Sequence, residues 1–240
     1  MYSFTAAGAT HVGHVRDLNE DAYLIRDGLY LVADGMGGHD GGELASAAVV
    51  DTFSEIWDNN TEPVELFSLK EWLTQVNRAV YDIAAGRAGT TLTLLSNVLH
   101  QDKAQLVVAN VGDSRTYRYR ANDEALIQLT QDHSAVAEMV RLGQLSPEEA
   151  REHPARNVIT RAVGSALRLL ADVVLLDAGI GDRFLLCTDG LTGKVEDQEI
   201  GLVLSSAATV QEAADQLLEL ALEIDGSDNI TVLVAEVIGH

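Results

Sequence analysis

Residues 31–38 read Leu31-Val32-Ala33-Asp34-Gly35-Met36-Gly37-Gly38, an apolar run of strand length that ends on an aspartate and enters a glycine-rich turn. Two further segments repeat this design, Phe184-Leu185-Leu186-Cys187-Thr188-Asp189-Gly190 and Val108-Ala109-Asn110-Val111-Gly112-Asp113-Ser114. In a fourth segment, Asp225-Gly226-Ser227-Asp228-Asn229, the acids come just before the last apolar strand. Carboxylates held rigidly at the ends of buried strands would repel one another if they converged, unless cations lay between them.

Hard divalent cations with oxygen ligands, Mg²⁺ or Mn²⁺, are the natural occupants of such a cluster. We expect the neighbouring glycines to let backbone carbonyls and waters reach the metal, because no Cβ blocks the approach. Taken singly, each Asp-Gly could be an ordinary turn. Only the loop after Asp34 has more glycine than a turn needs. The ordered set of four segments therefore favours a metal site over four unrelated turns.

The apolar patterns predict a fold of many strands and few helices. We expect strands at 22–25, 29–33, 90–95, 104–111, 115–120, 125–129, 172–176, 183–188 and 230–237, and helices at 43–57, 69–85, 133–151 and 210–222. Asp27-Gly28 predicts a hairpin turn, and Ser146-Pro147 predicts a helix start with serine as N-cap. The four strands between residues 90 and 129 follow the pattern of an antiparallel meander. Because strands outnumber a regular βαβ alternation, an α+β architecture of antiparallel sheets covered by helices fits best.

Composition excludes several classes of function. The 240 residues include 37 acidic and 16 basic side chains, for a net charge of −21, so nucleic acid is an unsuitable partner. No stretch approaches 18 uninterrupted apolar residues, and nothing in the sequence predicts a membrane span. Even apolar spacing and only three prolines indicate a single domain over residues 1–240.

The lone cysteine, Cys187, lies in an apolar run and is expected to be a small buried hydrophobe. Because it has no partner for a disulfide within the chain, it favours a reducing compartment. The N-terminal residues lack the pattern of a signal peptide. We therefore expect a cytoplasmic protein, and a monomer because no coiled-coil pattern is present.

Six strings in this order resemble the PPM family, the type 2C serine/threonine protein phosphatases, and especially small bacterial members that consist of the catalytic domain alone. The strings are Arg16-Asp17-Leu18-Asn19-Glu20-Asp21, Val32-Ala33-Asp34-Gly35-Met36-Gly37-Gly38-His39, Gly89-Thr90-Thr91, Val111-Gly112-Asp113-Ser114-Arg115, Thr188-Asp189-Gly190-Leu191-Thr192 and Gly226-Ser227-Asp228-Asn229-Ile230-Thr231. The resemblance covers essentially the whole chain. It implies an αββα sandwich, in which two packed antiparallel β-sheets are flanked by helices on both sides.

The resemblance also implies a ligand set for the metals. Asp34 would bridge two Mn²⁺ or Mg²⁺ ions, and the carbonyl oxygen of Gly35 would bind one of them. Asp189 and Asp228 would bind the second ion. Asp113, together with Asp189, would hold a weaker third ion.

Other positions acquire roles near the metals by the same resemblance. Asp21 would act on a metal-bound water, and Glu20 occupies a neighbouring metal-site position whose role varies. Arg16 corresponds to the arginine that binds the substrate phosphate. Residues 133–164 fall where the family carries a flap beside the active site.

The sequence departs from the family pattern in a few places. Some members have a histidine, acting as general acid, where this chain has Met36; His39 follows three residues later and is either a proton donor or a loop hydrogen bonder. Asp225 stands where the family usually has glycine, and the stretch before Gly89 is shorter than in many members. None of these departures removes an expected metal ligand.

The implied reaction is hydrolysis of phosphoserine and phosphothreonine on proteins by direct attack of a water that bridges the two metals. Phosphorylated proteins would be the substrates, and a serine/threonine kinase or its targets would be partners. Two alternatives stay open at this point. One is a two-metal phosphodiesterase acting on nucleotides, against which the strong acidity argues. The other is a catalytically silent module that binds phosphoproteins, which should have lost metal ligands.

Overall fold

The computed structural model describes residues 1–37, 41–84 and 86–239. The strands are β1 (Ser3–His11), β2 (Asp21–Arg26), β3 (Leu29–Gly37), β4 (Ala88–Thr90), β5 (Leu92–His100), β6 (Lys103–Val111), β7 (Arg115–Arg120), β8 (Ala125–Gln128), β9 (Asp172–Leu176), β10 (Arg183–Cys187) and β11 (Ile230–Gly239). The helices are α1 (Gly41–Asn59), α2 (Leu66–Ala84), α3 (Ala135–Arg141), α4 (Pro147–Glu152), α5 (Asp189–Thr192), α6 (Asp197–Ser206) and α7 (Val210–Ile224).

The strands form two antiparallel sheets. One has five strands in the order β1-β11-β10-β7-β8. The other has six strands in the order β2-β3-β5-β6-β9, with β4 paired to β3. The expected α+β class with two antiparallel sheets is confirmed, and so is the hairpin turn at Asp27-Gly28, because Arg26 pairs with Leu29 across it.

Helices cover the outer face of each sheet, which completes the αββα sandwich. On the six-stranded sheet, buried Phe53 of α1 and Val76 of α2 pack in one cluster with Leu31 of β3. On the five-stranded sheet, Leu204 of α6 and Leu217 of α7 pack in a second cluster with strand residues. A third cluster lies between the sheets and is wholly apolar. Its largest fully buried side chains are Phe184, Leu95, Leu106, Leu186 and Leu233.

A polar seam joins the two sheets beside this apolar cluster. The hydroxyls of Thr93 in β5 and Thr116 in β7 are 2.6 Å apart, and both side chains are fully buried. The hydroxyls of Thr91 and Ser114 form a second such bridge at 2.7 Å. Because these buried hydroxyls are hydrogen-bonded to each other across the gap, the seam helps to set how the two sheets face each other.

Three local predictions need correction. The meander over residues 90–129 is wrong, because β5 and β6 belong to one sheet while β7 and β8 belong to the other. The turn at 112–114, where Gly112 adopts φ +100°, carries the chain from the six-stranded sheet to the five-stranded sheet. The helix over 133–151 is two short helices, α3 and α4, although Ser146 is an N-cap as predicted and forms a capping box with Glu149. Finally, β1 and α6 were not predicted. In β1, small residues mask the alternation of apolar and polar side chains.

Within the described residues, no helix has the length and apolar character needed to cross a membrane. Cys187 is fully buried, as expected for a small apolar side chain.

The threonine pair between the sheets yields a stability prediction. Thr93→Val leaves the Thr116 hydroxyl buried without its partner, so we expect the free energy of unfolding to fall by about 1–3 kcal/mol. The double variant Thr93→Val, Thr116→Val should recover part of that loss, because no polar group is then left unpaired. Thr74→Val on the exposed face of α2 is the control and should be nearly neutral. Urea denaturation compares wild type with the three variants, and a double variant that is less stable than Thr93→Val would contradict the pairing.

Candidate active site

The predicted acidic residues converge where strands of both sheets begin or end. Asp21 opens β2 and Asp34 lies in β3, and the two are direct partners across the sheet. Asp189 follows β10 and opens α5, while Asp228 lies just before β11. The buried Asp113 follows β6. Side chains far apart in the sequence therefore meet at one end of the sandwich.

The backbone of Asp34 is held from two sides. Its N–H donates to the Thr91 hydroxyl at 2.9 Å, and its carbonyl accepts from the Thr91 N–H at 2.8 Å and from the Thr90 hydroxyl at 2.9 Å. The Thr91 hydroxyl in turn meets that of Ser114, which follows Asp113. The Gly89-Thr90-Thr91 string therefore fixes Asp34 and ties it to the Asp113 loop.

Asp34 does not end its strand, contrary to the expectation of an aspartate in a turn. Strand β3 continues to Gly37, and Gly35 pairs with Thr90. The glycines have a packing reason that the sequence did not suggest. A Cβ on Gly35 would lie 2.1 Å from the Gly42 carbonyl oxygen, and one on Gly190 would lie 2.0 Å from the Asn229 carbonyl oxygen. Only glycine allows these backbones to approach closely enough to bring the carboxylates together.

Burial and mutual repulsion raise the pKa of four of these carboxyls. Burial is the main cause for each, and neighbouring aspartates add to it. The pKa of Asp21 rises to about 7 with Asp189 and Asp228 nearby, and that of Asp113 rises to about 7 with Asp189 nearby. The pKa of Asp189 rises to about 6, and that of Asp34 rises well above its ordinary value. The folded chain therefore gathers more negative charge here than its own groups neutralise.

The carboxylate oxygens are partly engaged in pairs. The carboxyls of Asp34 and Asp189 lie beside each other, and the Thr188 hydroxyl donates to Asp21 Oδ2 at 2.9 Å. Asp21 Oδ1 and Asp113 Oδ1 are buried and have no hydrogen-bond partner in the part of the chain that the structure describes. Over the described ranges, no three acidic, histidine or cysteine side chains already surround one point as ligands.

The donor set nevertheless fits a hard divalent cation. Once ionised, each acidic side chain offers only oxygen acceptors. Two of these oxygens have no hydrogen-bond partner among the described residues. A cation would relieve the repulsion that raises the pKa values. Position, charge and ligand chemistry all agree with Mn²⁺ or Mg²⁺.

Arg16 and Glu20 lie at the edge of the cluster. The Arg16 guanidinium donates to Asp228 Oδ2 at 2.8 Å, and half of its side chain is exposed. That hydrogen bond raises the pKa of Arg16 above its ordinary value. The carboxylate of Glu20 lies against Gly42 at the start of α1, where the nearby backbone N–H groups and the helix dipole favour an anion. Burial still raises the pKa of Glu20.

His39, the candidate proton donor, lies outside the described residues. Met36, which stands where some family members have a histidine, is partly exposed within β3. Asp225 ends α7 and receives a hydrogen bond from the Ser227 N–H at 3.3 Å.

Two polar residues support the cluster and received no role from the sequence. The Thr188 hydroxyl holds Asp21 and also accepts from the Thr231 N–H at 3.0 Å. The Asn229 side chain makes three hydrogen bonds to the loop that carries Arg16. Their only sequence signal is position, since each stands directly beside a candidate ligand, Asp189 or Asp228.

The predicted flap segment, residues 133–164, begins and ends against residues that flank the cluster. The His133 N–H donates to the Gly112 carbonyl at 2.9 Å, and His133 Nδ1 accepts from the Gly112 N–H at 3.1 Å. At the other end, Val163 and Thr90 exchange backbone hydrogen bonds of 2.8 and 3.1 Å. Both ends are therefore fixed next to residues that position Asp113 and Asp34.

Known proteins resemble this chain over almost its whole length. The family described as Protein phosphatase 2C matches residues 7–223. The serine/threonine phosphatase stp of Listeria monocytogenes serovar 1/2a is 36% identical over 239 residues, covering 95% of this chain and 93% of that protein. The PPM Ser-Thr phosphatase MsPP from Mycobacterium smegmatis, solved with cacodylate, has a TM-score of 0.88 at 36% identity, covering 99% of this chain and all of its own. The catalytic domain of PstP, solved with two manganese ions, also has a TM-score of 0.88, at 34% identity and with the same coverage.

The two-sheet fold and the carboxylate cluster thus define an enzyme of the metal-dependent phosphatase class. Within that class, the chain belongs to the protein phosphatase 2C family, also called PPM. It is a serine/threonine protein phosphatase.

The raised pKa values predict how the metal-free protein responds to pH. Because these carboxyls hold protons longer in the folded than in the unfolded chain, their contribution to stability is full below about pH 4. It is lost as the pH rises to about 7, where the folded carboxyls ionise against one another. Asp34→Asn removes one of the charges and should raise the Tm of metal-free protein at pH 8 by about 2–4 °C.

The matched control is Asp182→Asn. Asp182 is also buried but is fully bonded, to the Arg118 guanidinium and to the backbone N–H groups of Ala121 and Gly179. This variant should lower the Tm, because it removes a buried charge from its partners. Thermal melts in chelator between pH 5 and pH 8 make the comparison. An Asp34→Asn protein that melts below wild type at pH 8 would contradict the repulsion.

Proposed function

We propose that the aspartate cluster hydrolyses phosphoserine and phosphothreonine on proteins with the help of two divalent cations. Asp34, the Gly35 carbonyl, Asp189 and Asp228 would hold the two core ions. Asp113 would hold a weaker third ion together with Asp189. One observation carries the proposal: four carboxyls lie together with raised pKa values, and within the described ranges two of their buried oxygens have no hydrogen-bond partner.

Either Mn²⁺ or Mg²⁺ suits these oxygen ligands, and two manganese ions are present in the solved PstP catalytic domain. When bound, two such cations lower the pKa of a shared water and orient it toward phosphorus.

Asp21 is the candidate residue for handling a proton of the attacking water. Its Oδ2 is fixed by the Thr188 hydroxyl, which leaves Oδ1 buried and free to accept. A buried carboxyl with a pKa near 7 exchanges protons readily at neutral pH. His39 remains a predicted proton donor for the leaving group, and Glu20 remains a predicted metal-site residue.

Arg16 is the candidate for binding the substrate phosphate. Its planar guanidinium can hold two phosphate oxygens at once, and half of its side chain is open to solvent. An exposed pair such as Arg16 with Asp228 is weak, so a dianionic phosphate can take the guanidinium from the carboxylate. The flap at residues 133–164 would border this position, which the attachment of its ends beside Asp113 and Asp34 supports.

The natural partners would be phosphorylated proteins, among them a serine/threonine kinase or its targets. We also propose a single catalytic domain that acts as a monomer in the cytoplasm. The depth of burial of Cys187 agrees with a cysteine that has no disulfide role.

The two alternative functions predict different behaviour. A two-metal phosphodiesterase would turn over cyclic nucleotides faster than phosphopeptides, which the net charge of −21 disfavours. A silent phosphoprotein-binding module would bind the phosphopeptide without releasing phosphate and would bind little metal. The retention of every expected acidic ligand argues against such a module.

A single assay separates these possibilities. We expect wild type to release phosphate from a phosphothreonine peptide and from p-nitrophenyl phosphate only with added Mn²⁺ or Mg²⁺. Asp34→Ala should reduce kcat at least about a thousandfold, because the ligand shared by both ions is lost. Asp182→Asn should keep its metal-dependent activity at a temperature where it is folded. Metal-independent turnover, or an active Asp34→Ala protein, would contradict the proposal.

A further inference from the structure

We propose that Asn229 is a positioning residue that sets Arg16 for phosphate binding by fixing the loop 12–20 at both of its ends. The proposal rests on the function proposed for Arg16. Asn229 has no role in the ligand set described above. Its side-chain hydrogen bonds among the described residues go to backbone groups of this loop, and not to a carboxylate or to the Arg16 guanidinium.

The loop 12–20 connects β1 in the five-stranded sheet to β2 in the six-stranded sheet, and it contains no regular structure. The Asn229 amide nitrogen donates to the Val12 carbonyl at 2.9 Å and to the Leu18 carbonyl at 2.9 Å. Asn229 Oδ1 accepts from the Glu20 N–H at 2.8 Å. These contacts lie on both sides of Arg16 in the sequence, so one side chain closes the loop that presents the guanidinium.

The orientation of the amide follows from its partners. Two carbonyl oxygens need the NH₂ group, and one backbone N–H needs the oxygen. Turning the amide over would face donor to donor and acceptor to acceptors. Because the side chain is only 7% exposed, water does not readily replace these bonds.

The backbone of Asn229 joins the same loop to two candidate metal ligands. Its N–H donates to Asp228 Oδ1 at 2.8 Å. Its carbonyl oxygen packs against Gly190 at a distance that excludes a Cβ, directly beside Asp189. The side chain therefore ties the Arg16 loop to the part of the protein that carries Asp189 and Asp228.

A second anchor lies next to the first. The His14 N–H donates to the Gly226 carbonyl at 2.6 Å, and the His14 ring contacts the Leu222 carbonyl through Nε2 at 3.2 Å. A Cβ on Gly13 would lie 2.2 Å from the Asp228 carbonyl oxygen. The loop is thus pressed onto residues 222–229, and its placement depends on them.

The ion pair of Arg16 with Asp228 does not replace these anchors. Half of the Arg16 side chain and a third of the Asp228 side chain are exposed, and ion pairs in such surroundings add little. Moreover, the pair must open whenever the guanidinium binds phosphate. The backbone on either side of Arg16 must therefore be held by contacts that persist through the reaction, and the Asn229 amide supplies three of them.

The variant Asn229→Ala removes the amide and keeps the backbone contacts to Asp228 and Gly190. We expect KM for p-nitrophenyl phosphate and Ki for orthophosphate to rise about tenfold, because the misplaced guanidinium binds both phosphates less well. We expect kcat with saturating Mn²⁺ to change by less than about threefold.

Asn97→Ala is the matched control. Asn97 is also buried, at 6% exposure, and its amide likewise bonds to both backbone groups of another residue, Tyr2. It lies at the far end of β5 from the threonines that hold Asp34. Both variants should lose thermal stability, whereas only Asn229→Ala should raise KM and Ki, a difference that a purely structural role would not produce.

A double-mutant cycle with Arg16→Ala tests the assigned route of action. If Asn229 works through Arg16, its replacement should cost little once Arg16 is gone, so the effects on Ki should be strongly non-additive. An unchanged KM and Ki in Arg16→Ala would overturn the proposed role of Arg16 and this inference with it. Raised values in Arg16→Ala with unchanged values in Asn229→Ala, or additive effects in the double variant, would overturn the inference alone.

His14→Ala provides an independent variant if Asn229→Ala does not fold. His14 is exposed, so its replacement does not threaten the core, yet it loosens the second anchor of the same loop. It should raise KM and Ki in the same direction, also non-additively with Arg16→Ala. Asn229→Ser, which removes the same three amide bonds, is measured beside it, and unchanged constants in a folded Asn229→Ser protein would overturn the inference.

Discussion

Repulsion between aspartates collected at one end of a two-sheet sandwich is the constraint on which the rest of this structure depends. Burial and neighbouring charge raise the pKa of Asp21, Asp34, Asp113 and Asp189, so the folded chain carries a local electrostatic cost that its own side chains do not remove. An enzyme tolerates such repulsion between carboxylates when a bound cation neutralises it. The same cation then takes part in the reaction at that site.

The architecture explains how the fold remains stable despite the repulsion between these carboxylates. Three apolar layers, one between the sheets and one beneath each pair of helices, stabilise the sandwich independently of the cluster. Hydroxyl pairs such as Thr91 with Ser114 extend from the layer between the sheets toward the site and hold the carboxylate-bearing backbones in place. Gly35 and Gly190 then allow neighbouring backbones to close in, so the strand residues Asp21 and Asp34 meet acids from α5 and from two loops.

Much of this site could be predicted from sequence because Asp34, Asp113 and Asp189 each stand beside glycine after an apolar run, and Asp228 stands just before one. The same local reasoning failed where distant contacts decide the outcome. Strands β6 and β7 look like neighbours in a meander, yet the turn at 112–114 sends them to different sheets. Asn229 looks like a turn residue, and only the folded chain brings Val12, Leu18 and Glu20 to its amide.

The most direct test of this account is a crystal structure of the chain grown with Mn²⁺, with anomalous scattering used to locate the manganese. The account predicts two strong anomalous peaks between the carboxylates of Asp34, Asp189 and Asp228, with the Asp34 carboxylate in contact with both ions. Manganese found only at surface carboxylates, with none between Asp34 and Asp189, would contradict it.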